Sequence, residues 1–158
     1  MSRGIVTSIL AIVIAQFLKI PLKQLETKKW SWQTLFASGG MPSSHSAGVA
    51  SLATYTGLRL GGRKLDFALA VIFGLIVMYD AQGIRRYAGE TSMRVNELEA
   101  KVEQLAGEST GNYHERKERQ LKEQLGHQPE EVAVGALLGV VVGTVSYLLN
   151  RGKRSYLF

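Results

Sequence analysis

The 158-residue sequence predicts an all-α fold: an integral membrane bundle of about four transmembrane helices, with a helical hairpin outside the membrane inserted before the last one. Three observations carry this. The apolar residues, 46% of the chain, are gathered into uncharged runs instead of being spread evenly. Polar residues collect between Arg85 and Glu131. The basic residues behind the net charge of +6 bracket the apolar runs, which is the habit of membrane-flanking lysine and arginine and not of a nucleic-acid surface. A chain of this length supports one core, so residues 1–158 are expected to form a single membrane domain with the polar hairpin at 90–125 inside it.

The first element reads "GIVTSILAIVIAQFL" from Gly4 to Leu18, without a charge. A span needs roughly 17–25 mostly apolar residues. The run reaches that length if it continues past Lys19 towards Pro21, with the lysine snorkelling to the interface, and this places a helix at 4–20. Arg3 ahead of the run would suit a signal peptide, but "FLKIPLKQL" offers no small-x-small cleavage site, so a retained helix is expected. The second element, 46–60, reads "SAGVASLATYTGLRL". It is too polar to lie comfortably alone in lipid, yet rich in the small residues that close helix packing selects.

The third element, 66–82, carries Asp66 and Asp80 near its two ends around "FALAVIFGLIVMY". In the last, 131–149, Gly135, Gly139 and Gly143 recur on one face and form a seam for a neighbouring helix. Between these two elements Val95, Leu98, Val102 and Leu105 step by three, four and three residues, the spacing of a short coiled-coil stripe. Glu97 and Lys101 add an i,i+4 pair on the polar face. "GESTGN" then breaks the pattern, and "YHERKERQLKEQL" reads as the second arm of the hairpin. The absence of cysteine excludes disulfides and thiolate chemistry.

If each of the four helices crosses once, Lys19, the "PSSHS" stretch, Arg85 with Arg86, and His127 all fall at the same rim. Lysine, arginines, two histidines and a carboxylate gathered at one rim make an anion site with its own acid and nucleophile. Arginine's planar fork matches a phosphate, lysine adds a point charge, and free N–H groups at the start of the second helix, beside Ser43 and Ser44, point at the same anion. A histidine can attack phosphorus or protonate a leaving group near neutral pH. His127 and Glu131 lie one helical turn apart, and Pro129 suits the first turn of a helix that would bring them together. Each piece alone has a plainer reading. Ser43 or Ser44 serves as an N-cap, Arg85 and Arg86 as interfacial anchors, and Glu131 as a complement to the helix dipole. No metal-ligand spacing such as H-E-x-x-H is present, so neither a metal nor another cofactor is expected.

Taken together, "GGMPSSHSAG", "YDAQGIRR" and "LGHQPEEVAVGALLG" resemble the divergent branch of the type-2 phosphatidic acid phosphatase superfamily, which also contains bacterial acid phosphatases and vanadium haloperoxidases. The superfamily pattern runs K-x(6)-R-P, then P-S-G-H, then S-R-x(5)-H-x(3)-D. Pro42-Ser43-Ser44-His45 matches the second part with Ser44 in place of glycine, and His127 to Glu131 matches the end of the third with glutamate for aspartate. For the first part Lys19 is the candidate lysine and Lys28 the fallback. The arginine lies about forty residues before His127, with the hairpin between them, so Arg85 and Arg86 both remain open as its counterpart.

The resemblance implies a metal-independent membrane phosphatase acting on a lipid phosphomonoester or diphosphate. In that scheme His127 is the nucleophile, Glu131 orients it, His45 protonates the leaving group, and Lys19, Ser43, Ser44 and Arg85 or Arg86 hold the phosphate. The expected setting is a bacterial cell membrane, with a lipid phosphate as substrate, no nucleic acid, and a homodimer admitted as a further partner. The competing reading is a non-catalytic membrane protein that binds an anionic lipid and recruits a partner through the hairpin.

Overall fold

The computed structural model describes residues 2–27, 39–106, 121 and 126–152, and all the regular structure among them is helical. The elements are α1 (Arg3–Thr27), α2 (Ser44–Leu60), α3 (Leu65–Gln82), α4 (Ile84–Ala106) and α5 (Pro129–Asn150). Three described stretches are long and apolar enough to cross a membrane: Arg3–Leu25, Leu65–Val102 and Pro129–Asn150. The 17-residue α2, about 25 Å long at the usual helical rise, is packed against α1, α3 and α5 at once. Its mildly polar sequence is therefore screened by neighbours on several sides.

Two expectations about the first helix need correction. The helix does not stop near Pro21 but continues through it to Thr27, because a proline removes one backbone hydrogen bond without obliging the chain to leave the helix. Lys19 accordingly sits inside the span and not at its end. It is only 3% exposed, turned into the bundle instead of snorkelling to the interface. A charged side chain within a membrane segment is stabilised by the bundle interior, where countercharge is available, better than by lipid.

Packing contacts fix the register of the helices around α2. Gly48 lies on Ile12 and Gly4 on Leu52, so α1 and α2 are antiparallel. Gly74 faces Val49 and Gly57 faces Phe67, so α3 is antiparallel to α2 as well. Along α5, Gly135, Gly139 and Gly143 meet Ser43, Ala47 with Ser51, and Ser51 with Thr54 in turn, so α5 runs parallel to α2. The glycine seam read from the sequence thus has α2 as its partner. A Cβ at Gly139 would overlap the Ala47 carbonyl oxygen and stand 2.8 Å from the Ala50 Cβ.

Cross-helix polar contacts clamp the end of the bundle where α1 begins and α5 finishes. Arg3 Nη1 donates to Asn150 Oδ1 at 2.7 Å, and the Thr7 and Ser146 hydroxyls are 2.6 Å apart. The outward faces carry exposed Ile5, Ile9, Val13, Phe73, Ile76, Leu137 and Val141, an apolar exterior suited to lipid.

The polar excursion begins one residue after α3, at Ile84. It opens with α4, where Lys101 Nζ donates to Glu97 Oε1 at 2.6 Å as the i,i+4 spacing predicts. The "GESTGN" turn and most of the predicted second arm lie outside the described residues. Leu121 is described, and its backbone exchanges two hydrogen bonds with the Asn96 side chain, at 3.0 and 3.1 Å. The chain therefore returns alongside α4 at that point.

Candidate active site

The site is assembled at the end of the bundle where α1 passes Lys19, α2 begins, α3 finishes and α5 begins. The opening "GGMPSSHS" stretch folds as a loop and a helix start. Gly40 takes φ +83°, a conformation that favours glycine, and the chain then enters α2 through its cap Ser43. The Ser43 Oγ accepts from the Ser46 hydroxyl at 3.0 Å and from the Ser46 N–H at 3.4 Å. Its N–H donates to the Glu131 carbonyl at 3.0 Å, and its own carbonyl accepts from the Ala47 N–H at 3.0 Å. Ser43 is completely buried, and its hydrogen bonds tie the start of α2 to the first turn of α5. The close approach is possible because Gly135 has no Cβ to strike the Ser43 carbonyl.

His127 stands two residues ahead of α5 and is 6% exposed. Its N–H donates to the Ala81 carbonyl at 2.8 Å, satisfying one of the orphan acceptors at the end of α3. On its ring, Nδ1–H donates to Glu131 Oε2 at 2.8 Å, and the Gln128 N–H donates to the same oxygen at 3.2 Å. The carboxylate is thus held from two sides and fixes the tautomer, leaving the lone pair of Nε2 to face elsewhere. Buried Lys19 makes no hydrogen bond or ion pair among the described residues, and its charge acts at longer range on Glu131 and His45.

The His45 and His127 rings lie with centroids 6.4 Å apart and planes at 66°. His45 is exposed, and the charges of Arg85, Lys19 and Asp80 reach it. Arg85 is held by Asp80, its Nε donating to Oδ2 at 2.6 Å. Arg86 turns along α4 instead, where its Nε donates to Glu90 Oε1 at 3.1 Å. The structure therefore separates two arginines that the sequence leaves equivalent: Arg85 belongs to the charge field of His45, and Arg86 to the surface of the polar arm. Lys28, the alternative to Lys19, lies outside the described residues.

Sequence reasoning overlooked Gly126. With φ +86° it brings the chain down onto the start of α4, where a Cβ would stand 2.5 Å from the Arg86 nitrogen. This contact closes the long gap between the arginines and His127 and shows that the excursion leaves and re-enters the bundle at one place. The clue available was the glycine directly before His127, a position that a tight approach to backbone requires. Gln128 was overlooked too: it starts α5 in a capping box with Glu131, and the clue available was their three-residue spacing.

The family model described as "Divergent PAP2 family" matches residues 1–142. The "Uncharacterized membrane protein YuiD" of Bacillus subtilis (strain 168) is 38% identical over 144 residues, covering 89% of this chain and 91% of that protein. No solved structure matches.

Proposed function

The chain belongs to the divergent PAP2 family and is a membrane protein, and from that premise we propose that it hydrolyses a phosphomonoester or diphosphate carried on a membrane lipid. The observation that carries this reading is the buried His127–Glu131 pair, 2.8 Å apart, set beside buried Lys19, which has no hydrogen-bond or ion-pair partner among the described residues, and facing a second histidine. A buried ammonium is costly unless anions lie near it, and a phosphate would add one to the charge of Glu131. Lys19, Arg85 and the free N–H groups at the start of α2, with Ser44, would hold its oxygens.

In the first step the lone pair of His127 Nε2 attacks phosphorus and the bond to the leaving oxygen breaks. Protonated His45 gives its proton to that oxygen, and the phosphoryl group rests on His127. Positive charge arising on the imidazole is balanced by Glu131 through the Nδ1 hydrogen bond. Water then attacks phosphorus, neutral His45 takes a proton from it, and the P–N bond breaks to release phosphate and restore both histidines. A lipid is the favoured carrier because a headgroup phosphate lies at the depth of this rim.

The competing reading, an anion-binding membrane protein without turnover, draws on the capping role of Ser43, whose N–H and Oγ are already engaged. Purified protein in vesicles would be given phosphatidate, phosphatidylglycerophosphate and undecaprenyl diphosphate in turn, with released phosphate measured. Release by the wild type, with loss in a folded His127→Ala variant, is the expected result. Folded wild type that binds these lipids and releases nothing would leave the binding reading standing.

A further inference from the structure

A groove of about 310 Å³ runs between α2, α3 and α5, bounded among others by Val49, Ala53, Phe67, Gly74, Met78 and Val140. Its lining is apolar apart from Thr54, and small residues on all three helices leave the space. The register of α2 against α3 sets its direction. Gly74 faces Val49 and Gly57 faces Phe67, which puts Met78 at the depth of His45 and Phe67 near the far end of α2. Phe67 to Met78 spans about 16 Å of helix axis. Exposed His45 and half-buried Val49 are one turn apart on one face of α2, so the groove opens directly beneath the polar rim. Around it α3 presents exposed Ile72, Phe73 and Ile76 to lipid.

We propose that this groove holds one hydrocarbon tail of the lipid whose phosphate lies among Lys19, His45 and His127, an inference that rests on the lipid-phosphate reading of the site. A membrane lipid has the same layout: a phosphate at the interface, and a chain running from it along the bilayer normal. The volume takes on the order of ten water-sized groups, which suits the proximal part of a single chain. A helix of a second copy, ~10–12 Å across with its side chains, needs a far broader trough. Because bilayer lipid is as apolar as the groove, the tail gains little free energy on entering. What the groove contributes is register: a chain seated there holds its phosphate at the depth of His127 and limits the headgroup's wandering.

The test uses the full chain in phosphatidylcholine vesicles with a trace of phosphatidate carrying a diazirine midway along one tail, photolysed and mapped by mass spectrometry. Labelling is expected on the stretch from Phe67 to Met78 and on α2 and α5 opposite. It should persist in His127→Ala and fall severalfold in Ala70→Leu and Ala53→Leu, either of which fills the groove. Diacylglycerol with the same tail should label less, as it lacks the phosphate. Labelling spread over all outward faces and unmoved by the filling substitutions would overturn the proposal, as would a dimer cross-link occupying these residues. Labelling needs no turnover, so a wild type that labels the groove yet releases no phosphate defeats only the hydrolase reading. Where turnover is present, the filled variants should lose about 10- to 100-fold in kcat/KM on long-tailed phosphatidate while keeping their rate on a soluble aryl phosphate.

Discussion

At the scale of single residues the candidate site holds two histidines in different settings. His127 is buried and hydrogen-bonded to a carboxylate, whereas His45 is exposed and lies edge-on to the His127 ring. In the proposed mechanism, Glu131→Gln would keep the shape but remove the charge that balances a phosphorylated imidazole. Phosphate release should then fall about 10²- to 10⁴-fold with little change in folding. His45→Ala is expected to show a different signature. Turnover of a lipid phosphate, whose alkoxide needs a proton to leave, should drop by a similar factor, while that of para-nitrophenyl phosphate, whose leaving group needs none, should drop far less. Equal losses on both substrates would remove His45 from the role of acid. For the arginines, Arg85→Ala should raise KM for phosphate substrates clearly more than Arg86→Ala, since the latter breaks only an exposed pair with Glu90.

At the scale of elements, legibility followed the directness of the physical signal. The glycine seam of α5 could be read from spacing alone, because repeated absence of a side chain on one face has few uses other than close approach. The last helix was placed at 131–149, and it starts two residues earlier, at Pro129, whose ring suits a first helical turn. The end of α1 was not, since Pro21 can end a helix or be carried inside one, and only neighbouring helices decide. Nor could sequence separate Arg85 from Arg86, because the distinction depends on Asp80 and on where Gly126 folds back. The seam also yields a stability prediction. Gly139→Ala should cost about 1–3 kcal/mol, and Gly139→Leu more, because the obstacles are backbone atoms of α2 that cannot rotate away. Ser43→Ala, which removes the cap of α2, should cost about 1 kcal/mol. Unfolding in mixed micelles followed by circular dichroism measures both, and a neutral Gly139→Leu would contradict the packing of α2 on α5.

At the scale of the whole molecule, one arrangement places all the candidate chemistry at one end and the chain's outer helix ends at the other. Arg3 bonds to Asn150, so the beginning of α1 and the finish of α5 lie together. Lys19, Ser43, Asp80 and Glu131 stand at the opposite end, as the antiparallel register of α1, α2 and α3 requires. If α2 is a fourth span beside the three long apolar stretches, the site faces one compartment, and both helix ends and the α2–α3 turn face the other. The chain has no native cysteine, so single cysteines can report this directly. In Ser2→Cys, Gly62→Cys and Gly152→Cys a membrane-impermeant maleimide should react from the same side of oriented vesicles, and in Met41→Cys from the other. Each position tests one crossing: Ser2 against Met41 tests α1, Met41 against Gly62 tests α2, and Met41 against Gly152 tests α5. Gly62 sharing the side of Met41 would make α2 a re-entrant helix. The rim would then no longer stand a full membrane width from the α2–α3 turn, and a lipid tail reaching from His45 towards Phe67 would lose the vertical path on which its register depends.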